Sequence, residues 1–347
     1  MERCALALVA KYCCQLHRER LCRRQFIRAH NIALIKYWGN RDDALRLPAA
    51  GSLSVNLAEL ETVTTVEFDA ALTDDMVSVD GNAQADAVRQ RVSAHLDLVR
   101  NQAGLKLRAR VRSRNNFPMS AGLASSASAF AALTLAGAQA AGLSLTPQAL
   151  SALARRGSGS ACRSIPAGFV EWQPGSEDRD SFAFSIAPPQ HWALVDVIAL
   201  VSRSPKAVGS AEGHALARTS PLHAAYLASA PGRLQRCRAA LLNRDFALLA
   251  DAVEADSNLM HAVMMTSAPP LFYWEPDTLR VIEAVRAWRE AGLAVCYTVD
   301  AGPNVHCLCP TAAAVEVARR LSADLGVSQV LTATPGGGAR LTDTPID

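Results

Sequence analysis

One stretch of this 347-residue chain limits its possible folds more than any other: Asn31-Ile32-Ala33-Leu34-Ile35-Lys36-Tyr37-Trp38-Gly39-Asn40-Arg41-Asp42. Its first half is an apolar, strand-like run, and its second half crowds Lys, Tyr, Trp, Asn, Arg and Asp together. Packing gives a core strand no reason to end in so many donors and charges at once. The strand therefore either runs out into solvent or delivers those groups to a site. The segment Leu47-Pro48-Ala49-Ala50-Gly51-Ser52-Leu53-Ser54-Val55-Asn56-Leu57 then reads as a turn feeding another strand.

A chain of this length can bury one large core or two medium ones, and two lobes suit it better. Half of its residues are hydrophobic and 19% are charged, the balance of a soluble globular enzyme. A net charge of +3 without an interleaved basic and aromatic patch argues against nucleic-acid binding. No apolar run is long enough to span a bilayer, so no membrane partner is expected. The nine cysteines, an odd and scattered set, point to reduced thiols in a cytoplasm. Cys307-Leu308-Cys309 lacks the two-residue spacer of a zinc site. Residues 1–28 are basic, and their apolar part, Ala5 to Ala10, is too short for a secretory core. They read either as a surface amphipathic helix or as the product of an upstream start codon.

From about residue 28 to 68 the pattern is strand, turn, strand, strand, with Thr62 to Phe68 strongly β-favouring. Helical spacing covers Ala85 to Ala103, and Leu105 to Arg114 alternates as a half-exposed strand. A loop at 115–122 precedes a small-residue helix, Leu123 to Ala141, and Pro147 opens another running to Arg156. Strands fall within 182–202, an almost wholly helical pattern fills 221–265, and helices come again at 278–291 and 312–325. Strands at 294–299 and 327–332 complete the pattern. No regular βαβ repeat emerges, which makes the class α+β with two lobes meeting near 190–205.

Three further segments carry chemistry. In Pro118-Met119-Ser120-Ala121-Gly122-Leu123-Ala124-Ser125-Ser126-Ala127-Ser128, a glycine- and serine-rich turn opens into an alanine-rich helix. Free N–H groups at the positive end of a helix, with nothing bulky in the way, suit a polyphosphate. It is not a Walker A loop, because the Gly-Lys-Ser/Thr ending is missing. The same residues suit a helix packed tightly on its neighbour, and by themselves they leave the two readings level. In Arg156-Gly157-Ser158-Gly159-Ser160-Ala161-Cys162-Arg163-Ser164, an arginine able to grip a carboxylate or phosphate by two parallel bonds sits beside two serines. A flexible turn is the plainer alternative. In Thr298-Val299-Asp300-Ala301-Gly302-Pro303-Asn304-Val305-His306, an aspartate ends an apolar strand, and such a residue is more often a turn former than a catalyst. His306 reads as a packed strand residue.

Jointly, these segments resemble the GHMP kinase superfamily, with residues 118–128 similar to its phosphate-binding loop. The Asn-Ile-Ala-Leu-Ile-Lys-Tyr-Trp-Gly motif resembles the diphosphomevalonate decarboxylases within it, and the likeness runs from about residue 29 to the C-terminus. The resemblance implies an α+β, two-lobed GHMP kinase fold. Residues 29–200 would form an ATP-binding N-terminal lobe like ribosomal protein S5 domain 2, and residues 201–347 a ferredoxin-like C-terminal lobe. Residues 1–28 would be an extension outside the fold. It further implies a cytoplasmic, homodimeric carbon–carbon lyase of isoprenoid biosynthesis. With ATP and Mg²⁺, such an enzyme converts mevalonate 5-diphosphate to isopentenyl diphosphate, ADP, phosphate and CO2.

Carried over residue by residue, the resemblance makes Asp300, Lys36 and Arg163 catalytic. Asp300 would orient or deprotonate the tertiary hydroxyl, Lys36 would neutralise charge during phosphoryl transfer, and Arg163 would hold the substrate carboxylate. Tyr37, Asn40, Ser158, Ser160, Arg163 and Arg218 would bind substrate, with Tyr37 at its terminal phosphate. Ser120, Ala121, Gly122, Leu123, Ala124, Ser125 and Ser126 would cradle the ATP phosphates.

The chain also departs from the family's pattern. Asn40 stands where a lysine usually helps hold the diphosphate, Ala50 replaces an asparagine, and Gly209 to His214 replaces Ser-Ser/Thr-x-Gly-Met. Arg218 is a compensating phosphate partner in this reading. Charge-assisted bonds are roughly twice as strong as neutral ones, so losing a cation here keeps mevalonate 5-phosphate, giving isopentenyl phosphate, as the alternative substrate. A small-molecule kinase that stops after phosphorylation accounts less well for the joint presence of Arg163 and Asp300.

Overall fold

The computed structural model describes residues 24–117, 125–202 and 208–341. Strand β1 (Arg24–Ile35) runs antiparallel to the 18-residue β4 (Ser52–Asp69), and a small hairpin, β2 (Asn40–Asp42) with β3 (Leu47–Pro48), lies between them in sequence. The far half of β4 pairs with β7 (Arg108–Asn115), beyond which lie β5 (Met76–Val79) and β6 (Asn82–Ala83). Its near half pairs with β8 (Phe169–Trp172), followed by β9 (Ala183–Ala187). Pairing jumps from Ala29↔Glu61 to His30↔Leu57, an irregularity that bends β4 and lets one strand serve two sets of partners.

Helices α1 (Asp86–Ala103), α2 (Ser125–Ala140) and α3 (Pro147–Gly157) cover one face of this sheet, closing a core that includes Val66, Leu96, Val111 and Phe130. Helix α2 lies on β1 and β4, and Ala127, Ala131 and Ala136 are fully buried, so small side chains permit the close approach. The packed-helix reading of this segment thus holds from Ala127 onward. Ser120, Ala121, Gly122, Leu123 and Ala124 of the expected phosphate loop lie outside the described residues.

A second antiparallel sheet has the order β11 (Cys296–Val299), β12 (Val305–Pro310), β10 (Leu194–Leu200), β13 (Gln329–Ala333). Helices α7 (Pro276–Glu290) and α8 (Thr311–Arg319) pack against it through Val281, Val285 and Val317. After the short α4 (Ser210–Leu216) come α5 (His223–Asn243) and α6 (Phe246–Met265), which join both sheets. Ile32, Leu34 and Leu53 of the first sheet share one cluster with Leu241, Leu249, Ile198 and Leu308. With α2 contacting it and α6 contacting it as well, β1 has no solvent face after Ala29, which accounts for its unbroken apolar run. Each such side chain contributes about 1.5–3 kcal/mol on burial.

Several boundaries differ from expectation. Pairing begins at Arg24↔Val66, so residues 24–28, expected in the extension, belong to the sheet; the long β4 supplies the edge that recruits them. All of β10 lies in the second sheet, so the division between sheets precedes Leu194 instead of following residue 200. The chain's end also returns to the first sheet, where β14 (Arg340–Leu341) pairs with β1 and Gly336 N donates to Asn56 O at 2.6 Å. The almost wholly helical stretch expected over 221–265 is two helices, broken at Arg244, whose φ is 57°, and restarting where Asp245 caps α6 by accepting from Leu248 N.

Candidate active site

Strand β1 ends at Ile35, and the next side chain, Lys36, is only 3% exposed. Its Nζ donates to Asp300 Oδ1 at 2.5 Å, and Asp300 directly follows β11. One strand end from each sheet therefore meets in a single ion pair. Burial alone would push the Asp300 carboxyl up. The Lys36 ammonium, His306 and the Lys36 hydrogen bond outweigh that and hold it well below the usual carboxylate range.

The backbone of Lys36 is fixed from behind. Its N–H donates to Asp256 Oδ2 at 2.6 Å, and Arg233 Nε donates to Asp256 Oδ1 at 2.6 Å. The Arg233 guanidinium also lies 4.5 Å from the Tyr226 ring centroid, and Tyr226 donates to Lys36 O at 3.4 Å. Burial pushes the Asp256 carboxyl up, with Arg233 the largest opposing influence. Sequence reasoning missed both residues, because Asp256 sits in an apolar helix and Arg233 is one of several arginines on α5.

Arg163 lies in the 3-10 turn Gly159–Ser164 and is buried. It donates from Nη1 to Ser52 Oγ at 2.7 Å and from Nη2 to Asn31 Oδ1 at 3.4 Å, while its buried Nε has no hydrogen-bond partner among the described residues. Among the described residues no carboxylate pairs with it. Burial draws its pKa down, and the Asp300 carboxylate in the same cleft opposes this only in part. Among the described residues lining the cleft, two cations, Lys36 and Arg163, thus face one carboxylate. Asn31 anchors the turn by donating to Ser164 Oγ at 2.7 Å. Gly159 is required there, since a Cβ would lie 2.5 Å from the Tyr37 ring.

Lys36, Tyr37, Ser160, Arg163, His214 and Asp300 line one cleft, which gathers five of the expected residues. Ser158 sits beside it, its Oγ 3.2 Å from Ser126 Oγ. Asn40 accepts from the Tyr37 hydroxyl and donates to Asp43 Oδ1 at 3.0 Å. Arg218, expected to hold phosphate, is 63% exposed, pairs with Asp43 and does not line the cleft; the salt bridge on the rim claims it. His214 is the unexpected member. Its ring stacks on Tyr37 with centroids 4.0 Å apart, and its Nδ1 accepts from Gly39 N at 3.0 Å. Burial lowers its pKa to about 3, so the ring is neutral and carries its proton on Nε2. In sequence it registered only as a departure from the pattern.

A second cavity of about 390 Å³ opens between β5, β7, α1 and α2. Val77, Val88, Val111 and Phe130 give it apolar walls, and Asn115 and Ser126 add polar groups. That combination suits a planar heteroaromatic ring. Ser126 of this cavity contacts Ser158, two residues before Ser160 of the cleft.

Residues 29–183 match the family model for the diphosphomevalonate decarboxylase-like N-terminal domain, and residues 196–336 that for the mevalonate 5-diphosphate decarboxylase C-terminal domain. The diphosphomevalonate decarboxylase of Candida albicans is 38% identical over 79% of this chain and 80% of its own length, and that of Homo sapiens is 39% identical over 79% and 73%. Mevalonate diphosphate decarboxylase from Staphylococcus aureus superposes with a TM-score of 0.88 at 35% identity, covering 92% of this chain and 98% of that one. The MDDEF complex with MVAPP, AMPPCP and magnesium gives 0.88 at 38% identity, covering 93% and 99%. The fold is thus that of the GHMP-type mevalonate diphosphate decarboxylases. The chain belongs to the diphosphomevalonate decarboxylase family, and with it to the carbon–carbon lyases.

Proposed function

We propose that this chain converts mevalonate 5-diphosphate to isopentenyl diphosphate with ATP and Mg²⁺, releasing ADP, phosphate and CO2. The observation that carries the proposal is the pairing of Lys36 with Asp300 across a cleft from Arg163, a buried cation that no carboxylate contacts among the described residues. The substrate carboxylate would supply the missing charge at Arg163. Its tertiary hydroxyl would lie against Asp300, with Ser158 and Ser160 reaching the phosphate end. The apolar cavity would take the adenine. The ATP phosphates would then lie toward Ser125 and Ser126 at the start of α2. Magnesium would accompany the phosphate oxygens and neutralise their charge.

In the reaction, the tertiary hydroxyl oxygen takes the γ-phosphoryl group as the bond to ADP breaks, and its proton, made strongly acidic as the new O–P bond forms, passes by way of Asp300 to solvent. The new phosphate then leaves with the C–O electron pair. A cationic centre develops at that carbon, the bond to the carboxylate breaks to release CO2, and its electrons form the alkene. Asp300, held strongly ionised, is a weak base. Its main work is to orient the hydroxyl and to stabilise the developing positive charge. Lys36 offsets negative charge during phosphoryl transfer. The likeness to the family also supports a homodimer, and the five described cysteines, all free and buried, fit the cytoplasmic setting proposed here.

A second reading, mevalonate 5-phosphate as substrate, is favoured by one observation: the rim residues beside Tyr37 are an amide and a carboxylate. Purified protein with ATP and Mg²⁺, offered each substrate in parallel, tests both. The proposal expects one CO2 per ADP from the diphosphate. ADP formation without CO2 would leave only a kinase.

A further inference from the structure

We propose that Asp43, acting through Asn40, holds the Tyr37 hydroxyl proton away from the cleft and so sets how the enzyme grips the phosphate end of its substrate. This rests on reading the cleft as a phosphorylated-substrate site. A tyrosine hydroxyl has a single proton, and here it goes to Asn40 Oδ1. Asn40 can accept it only while its own N–H group points the other way, and that group donates to Asp43 Oδ1 at 3.0 Å.

A carboxylate accepts and cannot donate. Turning the Asn40 amide over would set its carbonyl against the Asp43 oxygen and break a charge-assisted bond. Asp43 is kept ionised, because the Asn40 hydrogen bond and Arg218 hold its carboxyl below the ordinary range. The ring cannot swing to find another partner. His214 is stacked on it at 4.0 Å, Trp172 packs against it at 4.7 Å, and the Gly159 backbone closes the remaining side.

The cleft therefore meets Tyr37 as lone pairs. Lone pairs repel an ionised phosphate oxygen and suit one that bears a proton. Tyr37 becomes a donor to phosphate only if Asn40 turns over, and Asp43 opposes that. Asp43 is thus a positioning residue, and it touches neither substrate nor the reacting atoms.

A double-mutant cycle read by calorimetric binding of mevalonate 5-diphosphate, with KM and kcat alongside, tests the proposal. In the otherwise unaltered protein, Asp43→Asn removes the fixed acceptor, frees Tyr37 to donate, and should tighten binding by about tenfold with kcat little changed. In a Tyr37→Phe background the same substitution should tighten it by less than about threefold. Equal tightening in both backgrounds would mean that Asp43 acts by releasing Arg218, and would overturn the proposal. So would no change in either background while the thermal midpoint is retained. Wild-type protein that binds no mevalonate 5-diphosphate would instead remove the reading of the cleft itself.

Discussion

Lys36–Asp300 lines the cleft and Arg218–Asp43 lies outside it on the rim, and the two ion pairs are built in opposite ways. In the inner pair the side chains are 1% and 23% exposed, and in the outer pair 63% and 48%. The inner lysine is anchored through its backbone to a buried Asp256–Arg233 pair lying between helices and β1. The outer pair joins the β2–β3 turn to the turn after α4, with solvent on both side chains. Geometry at the inner end is therefore fixed by the core, which suits chemistry common to a family. Geometry at the rim can change without disturbing the core, which suits selection among phosphorylated substrates.

The sharpest way to break this contrast is at its buried support. Asp256→Ala leaves Arg233 and the Lys36 N–H unpaired in the core and should cost about 3–5 kcal/mol, read as a drop in the urea midpoint. A loss below 1 kcal/mol would show that the inner end is no more rigid than the rim. Next in size, Arg163→Gln should raise the substrate KM by a factor corresponding to about 2–3 kcal/mol, since a charge-assisted grip on a carboxylate is lost. The ATP KM should stay nearly constant, and steady-state kinetics with each substrate varied in turn separates the two.

The inner pair also makes a pH prediction. The Asp300 pKa is depressed by folding, so its stabilisation is present above the unfolded carboxylate pKa of about 4 and is lost as pH falls through the lower folded value. Neither kcat nor stability should show a limb from this group between pH 5 and 8. A pH–rate profile with an acid limb in that window, absent from Asp300→Asn, would contradict the geometry. Smallest of all, Arg218→Gln should alter stability by less than about 1 kcal/mol, because an exposed pair contributes little. Denaturant titration checks that expectation.

What the sequence revealed follows the same division. Lys36, Tyr37, Arg163 and Asp300 stood out because polar groups at the end of an apolar strand or in a glycine-serine turn contradict simple packing. Asp256 lies 220 positions from Lys36, and only tertiary contact gives it a role. The partner of Arg218 is hidden for a related reason: its positive charge is evident in sequence, while the carboxylate it pairs with, Asp43, belongs to a distant turn. Helical spacing located α1, α3 and α7 to within a few residues. The short strand β8, the sheet pairing from Arg24 and the return of residues 336–341 to the first sheet all depend on non-local partners, which periodicity cannot register.

On the function proposed above, the Lys36–Asp300 pair serves a phosphorylation and a decarboxylation in one cleft. Single-turnover quenching of Asp300→Asn with mevalonate 5-diphosphate, ATP and Mg²⁺, following ADP and CO2 together, tests it most directly. Both products should slow in step, by about a thousandfold or more against wild type, with the thermal midpoint retained. Unchanged formation of both would show that Asp300 takes no part in either step.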